Sequence, residues 1–166
     1  MACRGVLFAL TDEQSDRLLA AAEVGDDAVE ELIEEIDNAW DEAYQVEVQK
    51  FWDAIHRCLS DGTTCFDGGT FPLNRVILGG RQLYRGDDYI VASVTKNEVP
   101  YVASALPAVS ESWFREQYFA LSTTDFPQIY VNEEWFGYTW ECFKEIRAFY
   151  RRSAKENRAV VFTADQ

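Results

Sequence analysis

The sequence predicts a single α+β domain, a short mixed β-sheet packed by several helices that include a long aromatic helix near the C-terminus. In several stretches apolar residues recur at three- and four-residue steps, the period of a helix face. Between them lie brief apolar runs, at residues 4–10, 89–94 and 159–163, too short for typical helices and β-compatible in composition. No internal repeat, low-complexity tract or linker rich in Pro, Gly or Ser divides the 166 residues, a length that suits one domain.

Residues 4–10 are predicted as a strand. Thr11 follows, with Gln14 three residues on, the spacing of a capping box, so a helix starts there and runs to about residue 23. Gly25 breaks it. Ala28, Val29, Leu32, Ile33, Ile36, Ala39 and Trp40 form one buried stripe of a second helix over residues 26–41. Its other face carries Glu30, Glu31, Glu34, Glu35, Asp37 and Asp41, and no Lys or Arg occurs from Leu18 through Gln49. Residues 44–48 alternate like a short strand. Phe51, Trp52, Ile55, Cys58 and Leu59 make the next helical stripe, closed by Gly62 as its C-terminal cap.

Residues 61–71 read as an irregular loop, pinned in part by Cys65 and Phe66. A short apolar element at 73–80 ends in Gly79 and Gly80, and a buried strand follows at 89–94. A helix is predicted over 96–106, with Pro100 in its first turn, where the missing N–H costs little. Another runs over 110–118 with Ser110 as N-cap, and residues 123–134 connect it to the last helix, about 133–157. That helix buries Phe136, Trp140, Phe143, Ile146, Phe149 and Tyr150, and a strand at 159–163 closes the fold.

Hydrophobic residues make up 48% of the chain and aromatics 14%, which separates it from chains too polar to fold. Fifteen Lys+Arg stand against 29 Asp+Glu, a net charge of −14. An anionic surface gains nothing from counterion release, so nucleic acid and anionic membranes are excluded as expected partners. Most of the excess lies in residues 1–83, with 6 Lys+Arg and 17 Asp+Glu, against 9 and 12 in residues 84–166. No apolar run approaches the roughly 20 residues of a membrane span, and Arg4 interrupts the apolar start, so neither signal peptide nor anchor is expected. Cys3, Cys58, Cys65 and Cys142 lack the density of a disulfide framework; reduced thiols and a cytoplasmic location are the expectation.

The run from Phe51 through Trp52, His56 and Leu59 to Gly62, the segment from Pro72 to Gly80, and the aromatic helix from Trp135 to Tyr150 with the terminal strand after it form a recognisable set. Together these three segments resemble the YfbM-like family of small bacterial proteins, a domain of unknown function. The resemblance implies a compact α+β fold in bacterial cytoplasm and supplies no reaction. The acidic helix at 26–41 and the aromatic richness near Trp135 look particular to this member.

His56 is the only histidine, hence the only side chain whose ordinary pKa lies near neutrality. Asp53, three residues earlier, lies within a helical turn of it. A nucleophile reading would join His56 to Cys58, Cys65, Thr63 or Thr64, but no nucleophile elbow surrounds any of them. Zinc held by Cys3, His56, Cys58 and Cys65 is disfavoured, because there is no Cys-x-x-Cys pair and positions 56 and 58 point apart on a helix. Calcium is disfavoured because the carboxylates stand on a regular helix. Gly79 and Gly80 are read as a turn, since no phosphate-loop pattern follows. Lys144, Arg147, Arg151 and Lys155 fall along one side of the last helix, where they complement its dipole and are expected to pair with the acidic helix.

The expectation is therefore a non-enzymatic cytosolic binding protein, of the immunity-inhibitor type, that masks a basic protein partner through Asp27, Glu30, Glu31, Glu34 and Glu35, without metal or cofactor. The alternative is a small enzyme or ligand-binding domain whose cleft is formed by His56, Asp53, Cys65, Gly79, Gly80 and the 61–71 loop. The oligomeric state stays open.

Overall fold

The computed structural model describes residues 4–165. Its elements run β1 (Gly5–Leu10), α1 (Asp12–Val24), α2 (Asp26–Asn38), β2 (Gln45–Glu47), α3 (Phe51–Leu59), β3 (Arg81–Gln82), β4 (Tyr89–Val94), α4 (Val99–Ala105), α5 (Glu111–Phe119), α6 (Glu133–Lys155) and β5 (Ala159–Asp165). The five strands form one sheet in the order β2-β1-β5-β4-β3. The α+β class holds.

All four strand pairings are antiparallel, which corrects the expected mixed sheet. The reason lies in β1, where Val6, Leu7, Phe8, Ala9 and Leu10 are all buried. A continuous apolar run marks a strand covered on both faces, which is common in parallel sheets but does not require one. Here Val6, Phe8 and Leu10 meet α1 and α2, while Leu7 and Ala9 face the larger core built with α3 to α6. The sheet is thus the middle of three layers. β5 lies at its centre, with Val161 opposite Phe8 of β1 and Ser93 of β4.

Local chemistry sets the helix starts. Thr11 Oγ1 accepts from Gln14 N–H at 3.1 Å and Gln14 Oε1 accepts from Thr11 N–H at 2.9 Å, the expected capping box. Ser110 Oγ accepts from Trp113 N–H at 3.2 Å, and Asn132 Oδ1 caps α6 through Trp135 N–H at 3.1 Å. Gly62, with φ 86°, returns its N–H to Arg57 O at 3.1 Å, closing α3 in the left-handed conformation a glycine adopts freely.

α2 stops at Asn38, short of the expected residue 41, because Asp41 organises a turn: its carboxylate accepts from Ala43 N–H at 3.0 Å and its own N–H bonds Gln45 Oε1 at 3.0 Å. Trp40, read as the end of the buried stripe, is consequently 48% exposed. In the 61–71 loop, Cys65 and Phe66 are exposed. The loop is held by polar bonds, from Thr63 Oγ1 to Asp61 at 2.7 Å and from Asn74 Nδ2 to Gly68 O at 3.2 Å.

The core around α6 is aromatic. Phe114 stacks on Phe143 with ring centroids 4.9 Å apart and planes 17° from parallel. Tyr150, fully buried, donates its hydroxyl to Val76 O at 2.8 Å, and burial pushes its pKa far up.

Candidate functional sites

His56 sits in the last turns of α3 and is 1% exposed. Its Nδ1 accepts from Leu78 N–H at 3.5 Å and its Nε2 is 3.3 Å from Cys65 O, which fixes the tautomer with the proton on Nε2. Burial lowers its pKa, so the ring is neutral at neutral pH. The histidine is a tie between α3, the loop and the Leu78 turn.

Asp53 does not orient it. The Asp53 carboxylate pairs with Arg57 one turn later, and Arg57, itself buried, also donates to Gly62 O at 3.2 Å and Asp125 O at 3.4 Å. Cys65 offers His56 its carbonyl while the residue itself stands exposed. Cys58 is buried, and burial pushes its thiol pKa far up; Cys142 is pushed up to about 11 by burial and by Glu145 and Glu141. Cys3, the remaining member of the four-ligand zinc set, lies outside the described residues. Among the described residues no three His, Cys, Asp or Glu side chains gather in a metal-holding cluster.

Gly79 and Gly80 are places of close approach. A Cβ on Gly79 would lie 2.1 Å from Asn74 O, and one on Gly80 would lie 2.5 Å from Ser93 O. They border a polar groove of about 680 Å³ whose cations are already paired, Lys96 with Asp12 at 3.1 Å, Arg75 with Glu98 at 3.3 Å. The five residues of the expected cleft are therefore dispersed: His56 is internal, Asp53 borders a different pocket, Cys65 is on the surface, and the glycines pack a turn.

The acidic residues fare differently. Asp27, Glu30, Glu31, Glu34 and Glu35 are all exposed on α2. Part of the charge is met from outside the helix, since Arg17 of α1 forms a two-pronged pair with Glu35 at 2.8 and 2.7 Å, which lowers the Glu35 pKa. Tyr84 donates its hydroxyl to Glu30 at 2.8 Å and Asp88 at 3.0 Å, which holds the phenol above its usual range. Along one flank, Glu30, Glu34, Asp37, Asp88 and Asp165 line a groove of about 360 Å³ in which Arg4 is the one cation among the described residues, bound to Asp37 at 2.7 Å. Along the other flank, Ala20, Ala21, Ala28 and Leu32 floor a groove between α1 and α2, edged by Arg17, Glu31, Glu35 and the 82%-exposed Val24.

The basic side of α6 does not reach this face, contrary to expectation, because α6 and α2 cover opposite faces of the sheet. Lys144 pairs instead with Glu141 at 2.7 Å, and Arg147 donates to Val109 O at 3.3 Å while lying over Trp140 at 5.2 Å.

A further pocket, of about 140 Å³, opens at the start of α3 between Lys50, Phe51, Tyr130 and Trp135. No sequence motif pointed to it; the aromatic richness near Trp135 was its only trace.

The family description "Domain of unknown function (DUF1877)" matches residues 1–163. The chain belongs to the DUF1877 family. Its fold is similar to the crystal structure of YfbM, a protein of unknown function from Escherichia coli, with a TM-score of 0.70 and 19% sequence identity over 99% of each chain. At that identity the likeness concerns the DUF1877 fold and no site upon it. No curated protein matches the chain significantly. Among the described residues no helix is long and apolar enough to cross a membrane.

Proposed function

We propose that this DUF1877 protein is a non-enzymatic binding protein that docks a basic protein partner on the α2 face, in the manner of an immunity-type inhibitor masking a toxin domain. The observation that carries the reading is the groove beside α2, where, among the described residues, five carboxylates are opposed by Arg4 alone and where there is room for a Lys or Arg side chain. A partner's guanidinium entering it would exchange water for paired carboxylates, the kind of charge-assisted contact that steers association and fixes register. The second groove, with an alanine floor edged by Glu31 and by the Arg17–Glu35 pair, supplies the apolar area such a contact needs at its centre. The reading also draws support from His56, whose two ring nitrogens are both engaged inside the protein.

The test compares two charge reversals of equal net change. Glu30→Lys with Glu34→Lys is expected to abolish capture of the partner that co-purifies from the native host. Glu116→Lys with Glu145→Lys, on exposed positions of α5 and α6, is expected to leave it intact. Equal retention by both double variants would remove the α2 face from consideration.

A further inference from the structure

The pocket at the start of α3 has a chemistry unlike the rest of the molecule. Lys50, in a chain of net charge −14, makes no ion pair among the described residues. Its ammonium lies over two rings instead, 4.3 Å from the Trp135 centroid and 5.0 Å from that of Tyr130. Those rings meet edge to face at 4.8 Å, and each packs on a further ring, Tyr130 on Phe126 at 6.1 Å and Trp135 on Phe51 at 5.6 Å. The corner is therefore packed by other rings as well as by Lys50.

The polar groups gathered there are donors. Lys50 and residues 51–54, the first turn of α3, form one wall, and no side chain caps that helix. Phe51 N–H is paired with Val48 O at 3.1 Å, and the following N–H groups of an uncapped helix start carry partial positive charge. Trp52, another lining residue and only 6% exposed, packs its indole on Phe162 at 5.6 Å, so its unpartnered N–H is enclosed behind the wall. Among the described residues the one carboxylate on the wall, Asp53, is neutralised by Arg57, whose guanidinium also lies 5.8 Å from the Phe126 ring centroid. With Lys50 and Arg57 against Asp53, the site carries a local excess of positive charge on a strongly anionic protein.

Donors and a free cation call for an anionic acceptor, and aromatic walls call for a flat apolar body. The volume of about 140 Å³ limits that body to a single ring, since a dry cavity of about 150 Å³ holds benzene. We propose that this pocket binds a small one-ring carboxylate, its ring against the aromatic walls and its anionic end toward Lys50 Nζ and the first turn of α3. The site is on the α3–α6 side of the sheet and stands independently of the acidic face.

Benzoate is the probe, benzyl alcohol its uncharged counterpart and tetramethylammonium the competing cation. In nitrogen–proton correlation spectra of the whole chain, benzoate is expected to shift the Trp52 indole signal saturably, and benzyl alcohol to bind about tenfold more weakly or worse. Lys50→Met, at an exposed position, is expected to bring benzoate down to the level of benzyl alcohol, while Lys155→Met leaves benzoate binding unchanged. Absence of a saturable benzoate shift, benzoate affinity unaltered by Lys50→Met, or tighter binding of tetramethylammonium than of benzoate would each overturn the proposal.

Discussion

α1 and α2 cover one face of the sheet with aliphatic side chains, Leu18, Val29, Leu32, Ile33 and Ile36, whereas α3 to α6 cover the other with rings, Phe114, Tyr118, Phe136, Phe143, Phe149 and Tyr150. The aliphatic layer is a single pair of short helices, so the outward half of α2 stands in water and carries carboxylates. The aromatic layer has four helices packed upon one another, and flat rings meeting at tilted angles leave a gap between Phe51, Tyr130 and Trp135. One layer thus presents charge on its surface, and the other presents a hole.

The sharpest way to break this contrast is to hollow each core in turn. Phe143→Ala removes a fully buried ring stacked on Phe114 and is expected to cost about 3–5 kcal/mol, whereas Ile33→Val in the aliphatic layer is expected to cost about 0.5–1.5 kcal/mol. Urea unfolding monitored by circular dichroism reads both. Comparable losses would mean that the aromatic layer rearranges around its gaps.

Acid should act on the aromatic side, which holds the single histidine. The folded state depresses the His56 pKa, so as pH falls below about 6.5 the unfolded chain takes up a proton that the folded chain refuses. Stability from this source is complete above that pH and declines below it. Between about pH 6.5 and 5.5 the wild-type curve is expected to fall more steeply than that of His56→Gln. The slope is the observable, since the substitution also alters packing.

An effect as small as that of Ile33→Val is expected at the first cap of the aliphatic side. Thr11→Ala removes the oxygen that accepts Gln14 N–H and is expected to cost about 1 kcal/mol, measured by the same urea titration.

What the sequence disclosed follows the range of the interactions concerned. The Thr11–Gln14 box and the Ser110 cap span three residues and were legible, as was the α2 stripe through Ile36. Trp40 misled because periodicity continued past the point where Asp41 turns the chain. Strand direction was misread because the partners of β1 lie in β2 and β5, far along the chain. His56 is tied to Leu78, 22 residues away, so its identity as a structural link appears only on folding. The pocket was illegible for the same reason: its lining comes from separate stretches around residues 50–54, 118, 126–130 and 135–139.

The central place of β5 has a consequence for synthesis. β1 with β2, and β4 with β3, are two separate antiparallel pairs that touch only through Ala159–Asp165. A chain growing from its N-terminus holds two open strand edges, at β1 and at β4, until that segment is made. During that interval the exposed apolar strands are the part of the molecule most in need of shielding from other chains. The sheet cannot be completed before its middle strand is made.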